Sequence, residues 1–185
     1  MKKLLAFLTA LLFSIPIFSM GMGMRADLQV RKETDFPEHV VLYYCTDASG
    51  MNMPWEGGYT VIECQYEGNR QYPFKIRYLD RDGNRVNNSL GVGAVLYSYD
   101  LQGALEKVTY QDTEGNPARC NVGYAGYRDT KDEDGVTISR TFLGVDGVAA
   151  ETNGGYSEIK YVYDATKALV SKQYYDLNGK QVKGE

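Results

Sequence analysis

The sequence predicts an all-β protein built as an array of antiparallel β-hairpins, in the form of an open meander or solenoid. One unit of 32 residues recurs along the chain, and Asp and Gly punctuate each unit. The segments between these turns are rich in Val, Tyr and Thr, which favour strands, and they show no capped helical periodicity. An open barrel or a sandwich is the competing geometry.

The repeat is identified from four aligned openings, which start 32 residues apart at Tyr78, Tyr110, Phe142 and Tyr174. The openings are YLDRDGNRV, YQDTEGNPA, FLGVDGVAA and YYDLNGKQV. An older and more divergent unit is expected before them. The expected organisation is an N-terminal cap or linker at 24–42 and a repeat domain at 43–185, with units at 43–77, 78–109, 110–141 and 142–173 and a partial unit at 174–185.

Aspartate at the first position and glycine at the fourth position mark the tight turns. Glycine suits the fourth position because φ is positive there, a conformation that residues with a side chain rarely adopt. Aspartate suits the first position because its carboxylate accepts backbone hydrogen bonds. The turn residues predicted in this way are Asp80 and Gly83, Asp100 and Gly103, Asp112 and Gly115, and Asp176 and Gly179.

The first residues predict a secretory signal peptide at 1–23. Lys2 and Lys3 precede an apolar run from Leu4 to Phe18, and small residues follow it. Cleavage is expected between Gly21 and Arg25, and retention of this segment as a membrane anchor is the alternative. The protein is therefore expected to be periplasmic, at the cell surface or extracellular, without stable membrane insertion after cleavage.

Charge and composition argue against several classes of function. The formal net charge is −4, and it becomes −6 once Lys2 and Lys3 are removed, so no basic surface for nucleic acid is expected. The single histidine, His39, and three scattered cysteines do not supply a zinc site. We expect no cofactor, no metal and no catalytic residues.

The three cysteines are Cys45, Cys64 and Cys120. An oxidising compartment permits one disulfide, and the pair closest in sequence, Cys45 and Cys64, is the candidate bridge. The alternative is that all three are small buried hydrophobic residues.

Aromatic residues are the candidates for ligand contact. The chain has 16 tyrosines and one tryptophan, Trp55, which stands among Pro and Gly and is expected on a loop. Tyr124, Tyr127 and Tyr156 lie in or near glycine-rich segments, where a flat apolar face with a polar tip suits a sugar ring or a protein. The alternative is that the tyrosines form a stacked core.

The segment YSYDLQGAL at Tyr97, with a second copy at Tyr161, resembles the YD repeat of Rhs-type proteins. In that family the repeats form β-hairpin sheets that curl into shells around a toxin. The resemblance implies β-hairpin architecture and a location outside the cytoplasm. This chain is too short for a shell, and we expect a short exported form without a toxin domain.

The sequence leaves three functional hypotheses. The first is a non-catalytic binding or scaffolding module of the bacterial envelope or exterior, with a protein or a glycan as its ligand. The second is a glycan-active hydrolase that uses a carboxylate pair. The third is a structural element that stacks between envelope proteins, because exposed edge strands promote edge-to-edge self-association.

Overall fold

A computed structural model describes residues 29–35, 39–55, 57–68 and 70–184, so the predicted signal peptide at 1–23 lies outside the described residues. These residues contain no helix, and hence none that could cross a membrane. They form eleven strands: β1 Gln29–Asp35, β2 Val40–Thr46, β3 Val61–Gln65, β4 Lys75–Leu79, β5 Ala94–Tyr99, β6 Leu105–Gln111, β7 Gly126–Lys131, β8 Thr137–Leu143, β9 Glu158–Tyr163, β10 Leu169–Tyr175 and β11 Gln181–Val182.

The strands form one open antiparallel sheet, in which each strand pairs with its neighbours in chain order. The predicted all-β open meander is therefore confirmed. The competing barrel or sandwich is wrong, because the described strands lie in one sheet that is not closed.

The repeat extends one hairpin further towards the N-terminus than the sequence analysis placed it. Residues 29–35, assigned there to a cap or linker, form β1 and pair with β2 over seven residues. Val30, the first core-facing residue of β1, pairs with Cys45 of β2. The first strand of each later hairpin has a residue that pairs in the same way. The equivalent pairs are Val30 with Cys45, Ile62 with Tyr78, Val95 with Tyr110, Tyr127 with Phe142, and Ile159 with Tyr174.

A β-bulge recurs in the second strand of three successive hairpins. The register shifts at Glu106 in β6, at Ile138 in β8 and at Val170 in β10, so each of these residues lacks a direct partner. Bulges bend the strand and increase the local twist. The 32-residue spacing of the bulges gives these three hairpins the same local distortion.

The core lies on one face of the sheet. Cys64, Ile76, Val95 and Tyr110 are neighbours across four strands and are all buried. The long connections between hairpins fold back over this face and supply further apolar side chains. A single hairpin cannot bury its apolar face alone, so each unit depends on its neighbours and on these connections.

Candidate functional site

Two of the predicted contact tyrosines belong to an aromatic row in the core. Tyr124 and Tyr156 come from the long connections, and they alternate with Tyr110, Phe142 and Tyr174 from successive strands. From Tyr110 to Tyr174 the ring centroids are 5.8, 4.6, 5.6 and 5.0 Å apart. Tilted and edge-to-face contacts at these distances are favourable for aromatic rings. Tyr156 is buried and Tyr124 is half-buried, and both rings are engaged by neighbouring aromatic rings.

The third predicted contact tyrosine, Tyr127, is covered by an ion pair. The Arg140 guanidinium carbon lies 3.7 Å from the centroid of the Tyr127 ring. The same guanidinium donates to both Asp129 carboxylate oxygens, at 2.7 and 2.8 Å. Tyr127 is buried beneath these groups, so its aromatic face is already occupied by a cation.

Trp55 is also a core residue, which corrects the expectation of an exposed loop contact. Its side chain is 5% exposed, and its ring stacks on Tyr59 with centroids 6.4 Å apart. Its backbone N–H donates to the Tyr59 carbonyl at 2.7 Å, which closes the loop over the ring. Proline and glycine indicate the loop correctly, but the loop folds inwards and takes the indole with it.

The predicted Cys45–Cys64 bridge is not formed. Both side chains are buried without a disulfide, and Cys64 lies opposite Val41 on the neighbouring strand. Val41 is four residues from Cys45, which corresponds to about 13 Å along a strand, whereas a disulfide needs Cα atoms within about 7 Å. Burial raises the pKa of the Cys64 thiol to about 12, so this cysteine remains a protonated core residue.

The turn residues occupy the geometry that the Asp and Gly pattern indicates. In the turn after β6, the Asp112 carboxylate accepts the backbone N–H groups of Glu114 and Asn116 at 2.9 and 2.8 Å. The Gly115 N–H donates to the Asp112 carbonyl at 3.3 Å. The corresponding carboxylate bonds occur at Asp80, Asp100 and Asp176, and positive φ values occur at Gly83, Gly103, Gly115 and Gly179.

These hydrogen bonds stabilise the charged form of two turn aspartates, Asp80 and Asp112. Hydrogen bonds from the Asn84 side chain and backbone hold the pKa of Asp80 below its usual value. The backbone N–H and side chain of Asn116 do the same for the pKa of Asp112. A carboxylate that is stabilised in its charged form suits a structural turn, whereas a general acid needs a raised pKa.

The outer side of β10 is an open strand edge over three residues. Strand β11 pairs only with Tyr174 and Tyr175, so within the described residues Ser171, Lys172 and Gln173 have β9 on one side and no strand on the other. Leu169 and Val170 precede them in β10 and are 48% and 64% exposed. An open strand edge beside exposed apolar side chains is able to pair with another polypeptide.

Sequence reasoning did not identify this edge by residue. Aromatic residues are the more prominent candidates in the sequence, because tyrosine suits both ligand contact and core packing and the pattern alone does not separate the two. No protein-family model matches this chain, and a search of the curated proteins finds no match to it.

Proposed function

We propose that this chain is a non-catalytic binding and scaffolding module of the bacterial envelope or exterior, and that it holds another polypeptide at the edge of its sheet. The observation that carries the proposal is the open outer side of β10, where Leu169 and Val170 are exposed beside it. An extended peptide that adds to such an edge gains main-chain hydrogen bonds, and side-chain contacts select its sequence.

Of the two ligand classes that the sequence leaves open, this edge favours a protein over a glycan. Sugar recognition on a sheet relies on exposed aromatic faces, and the candidate aromatics Trp55, Tyr127 and Tyr156 are buried. Backbone N–H and C=O groups in a row recognise another extended backbone, and a polysaccharide has no matching pattern.

Two half-buried carboxylates, Glu63 and Asp129, favour a binding role over hydrolysis. Glu63 lies on the sheet face opposite the core, and its Oε1 accepts the Arg77 Nε–H at 2.7 Å. Asp129 is paired with Arg140 in the same way. A glycosidase needs two carboxyl groups that face each other across a substrate, whereas each of these faces a guanidinium.

Export and the likeness to YD repeats belong to the same proposal. The basic and apolar start of the chain suits export, and the hairpin turns at Asp100 and Asp164 carry the YD-type pattern. A scaffold of this kind then works outside the cytoplasm, where an edge strand meets other envelope proteins.

Co-sedimentation with purified envelopes of the producing bacterium tests this function. We expect the processed protein to bind, and the pair of substitutions Leu169→Asp and Val170→Asp to reduce binding at least tenfold. Leu101→Asp is the matched control, because Leu101 is fully exposed on a hairpin turn away from β10. Unchanged binding by the double variant would overturn the proposal, and so would release of sugar product from a glycan panel.

A further inference from the structure

The outer side of β10 is the position at which the next strand pairs elsewhere in the sheet. In three earlier cases a strand receives its successor over three residue pairs: β4 receives β5, β6 receives β7 and β8 receives β9. In the last case Ser139, Arg140 and Thr141 receive the strand. The residues 32 positions later are Ser171, Lys172 and Gln173. These three residues of β10 are therefore equivalent to the residues of β8 that pair with β9.

The outer side of β1 is the complementary position. Val30 is the first core-facing residue of β1, as Ile159 is of β9. Its neighbours Gln29 and Arg31 therefore correspond to Glu158 and Lys160. Residues 29–31 thus match the β9 triplet in having a polar residue, an aliphatic residue and a cation. Within the described residues β1 pairs with β2 alone.

The backbone groups on both edges point outwards at the matching positions. The Tyr175 carbonyl accepts the Ser157 N–H from the β9 side, so alternation directs the N–H and C=O of Lys172 away from β9. The Cys45 carbonyl accepts the Met53 N–H on the side of β2 remote from β1. Its partner Val30 therefore directs its own N–H and C=O away from β2.

We propose that copies of this chain associate head to tail, with β1 of one copy adding antiparallel to β10 of the next. Lys172 then pairs with Val30, with Arg31 opposite Ser171 and Gln29 opposite Gln173. This inference rests on the proposed function, because it identifies the polypeptide that the β10 edge binds as a second copy of the chain.

The cross-strand chemistry of this register repeats the junction between β8 and β9. There Arg140 lies opposite Ile159, and Ser139 lies opposite Lys160. In the proposed contact a cation again lies opposite an aliphatic residue, Lys172 opposite Val30, and a serine again lies opposite a cation. The core-facing side chains stay on one face, so the sheet continues across the two molecules without a change of register.

A contact of this kind does not close on itself. It joins two different surfaces of the same chain, so each added copy presents a new β10 edge and growth continues into a linear assembly. Junctions within the chain include contacts between the long connections as well as strand pairs. The intermolecular contact has fewer interactions, and its extent therefore increases with protein concentration.

Proline substitution on each edge tests the proposal in the processed, exported protein. Lys172→Pro removes the outward N–H of β10, and Val30→Pro removes that of β1, while hydrogen bonds to β9 and β2 are retained. Sedimentation velocity should show a concentration-dependent series of oligomers for the wild type and a monomer for each variant. Lys172→Ala is the control, since it keeps the N–H and should still associate. Melting curves verify folding, and Lys32→Pro replaces Val30→Pro if the latter does not fold.

Mixing the two proline variants is the decisive measurement. Lys172→Pro keeps an intact β1 edge and Val30→Pro keeps an intact β10 edge, so the mixture should form a species of twice the monomer mass and no larger one. A monomeric wild type at every concentration overturns the proposal, and so does association that persists in both variants. A wild type that stays monomeric but sediments with envelopes overturns self-association alone and leaves the proposed function intact.

Discussion

The side-chain amide of Asn153 donates a hydrogen bond to the backbone carbonyl of Asn121, 2.9 Å away and 32 residues earlier in the chain. The Asn153 backbone N–H also donates to the Val122 carbonyl at 2.8 Å. Asn121 makes the same two bonds to the preceding unit, to the carbonyls of Ser89 and Leu90 at 3.2 and 2.8 Å. The long connections therefore stack as a second ladder of hydrogen bonds beside the sheet. Successive units are joined by this ladder as well as by strand pairing.

Replacement of Asn153 tests the contribution of this ladder to stability. Asn153→Ala removes one inter-unit hydrogen bond and should lower the free energy of unfolding by about 1 kcal/mol. Asn178→Ala is the control, because Asn178 lies in an exposed hairpin turn and contributes its backbone N–H there. Urea unfolding of the three proteins measures the difference, and equal midpoints for both variants would contradict a role for the ladder.

Gly115 tests the turn geometry. Its φ is +98°, and a Cβ atom placed there would meet nothing within 4 Å. The penalty for a side chain is therefore conformational, and Gly115→Val should destabilise the protein by more than about 1 kcal/mol. Gly115→Asn should lose less, because Asn tolerates the left-handed region. Thermal melting compares the two variants, and an unchanged midpoint for Gly115→Val would contradict the turn assignment.

Lys167 occupies the position that glycine holds in the other hairpin turns. Its φ is +63°, and its ammonium lies 2.8 Å from the Asp134 carboxylate of the adjacent turn. Lys167→Gly and Lys167→Ala both lose this exposed ion pair, so their difference isolates the backbone. We expect the glycine variant to be more stable than the alanine variant by about 1 kcal/mol. The reverse order in melting midpoints would show that this turn does not require a left-handed residue.

Deletion of one unit tests the open array. Removing 110–141 joins Thr109 to Phe142, and Phe142 then takes the place of Tyr110, which it matches in the repeat. The deletion removes Asn121, so Asn153 takes its place and its side-chain amide can donate to the Ser89 carbonyl. The shortened protein should remain β-rich by circular dichroism and unfold in one transition at a lower temperature, because each unit contacts its neighbours. An insoluble or disordered product would contradict nearest-neighbour stability.

Stability should fall in acid because of the turn aspartates. The pKa values of Asp47, Asp80, Asp112 and Asp164 lie below the usual 3.8, since each charged carboxylate accepts side-chain or backbone hydrogen bonds within its own turn. A lowered pKa in the folded state stabilises the protein above the unfolded pKa, and this stability is lost as the pH falls through the folded pKa. The melting temperature should therefore decline below about pH 4.

Asparagine substitution separates the turns from the other carboxylates. An Asp80→Asn and Asp112→Asn double variant cannot titrate at these positions, so its melting temperature should depend less steeply on pH below about 4. Identical slopes for the wild type and the double variant would show that other carboxylates cause the acid dependence. The comparison is made by calorimetry between pH 2 and 7.

The repeat period, the turn positions and the open β architecture follow from the sequence, because these depend on local chemistry. Asp112 and Gly115 form their turn from residues that are adjacent in the chain, and a 32-residue period makes the same turn recur. The sequence does not indicate β1, because Gln29–Asp35 is polar and mostly exposed. Its place in the repeat is defined by its pairing with β2, and a local sequence pattern does not reveal that pairing.

The tertiary structure alone decided which aromatic residues are buried and which backbone is left open. Trp55, Tyr124 and Tyr156 are residue types that suit ligand contact, but the long connections fold over the sheet. They place Trp55 and Tyr156 in the core and Tyr124 against it. The Cys45–Cys64 bridge depends on strand register, which sets the two residues four positions apart. The sequence by itself determines which segments form strands and turns, since those preferences are local. Burial, register and the open edge of β10 depend on contacts between distant residues, and the folded sheet determines them.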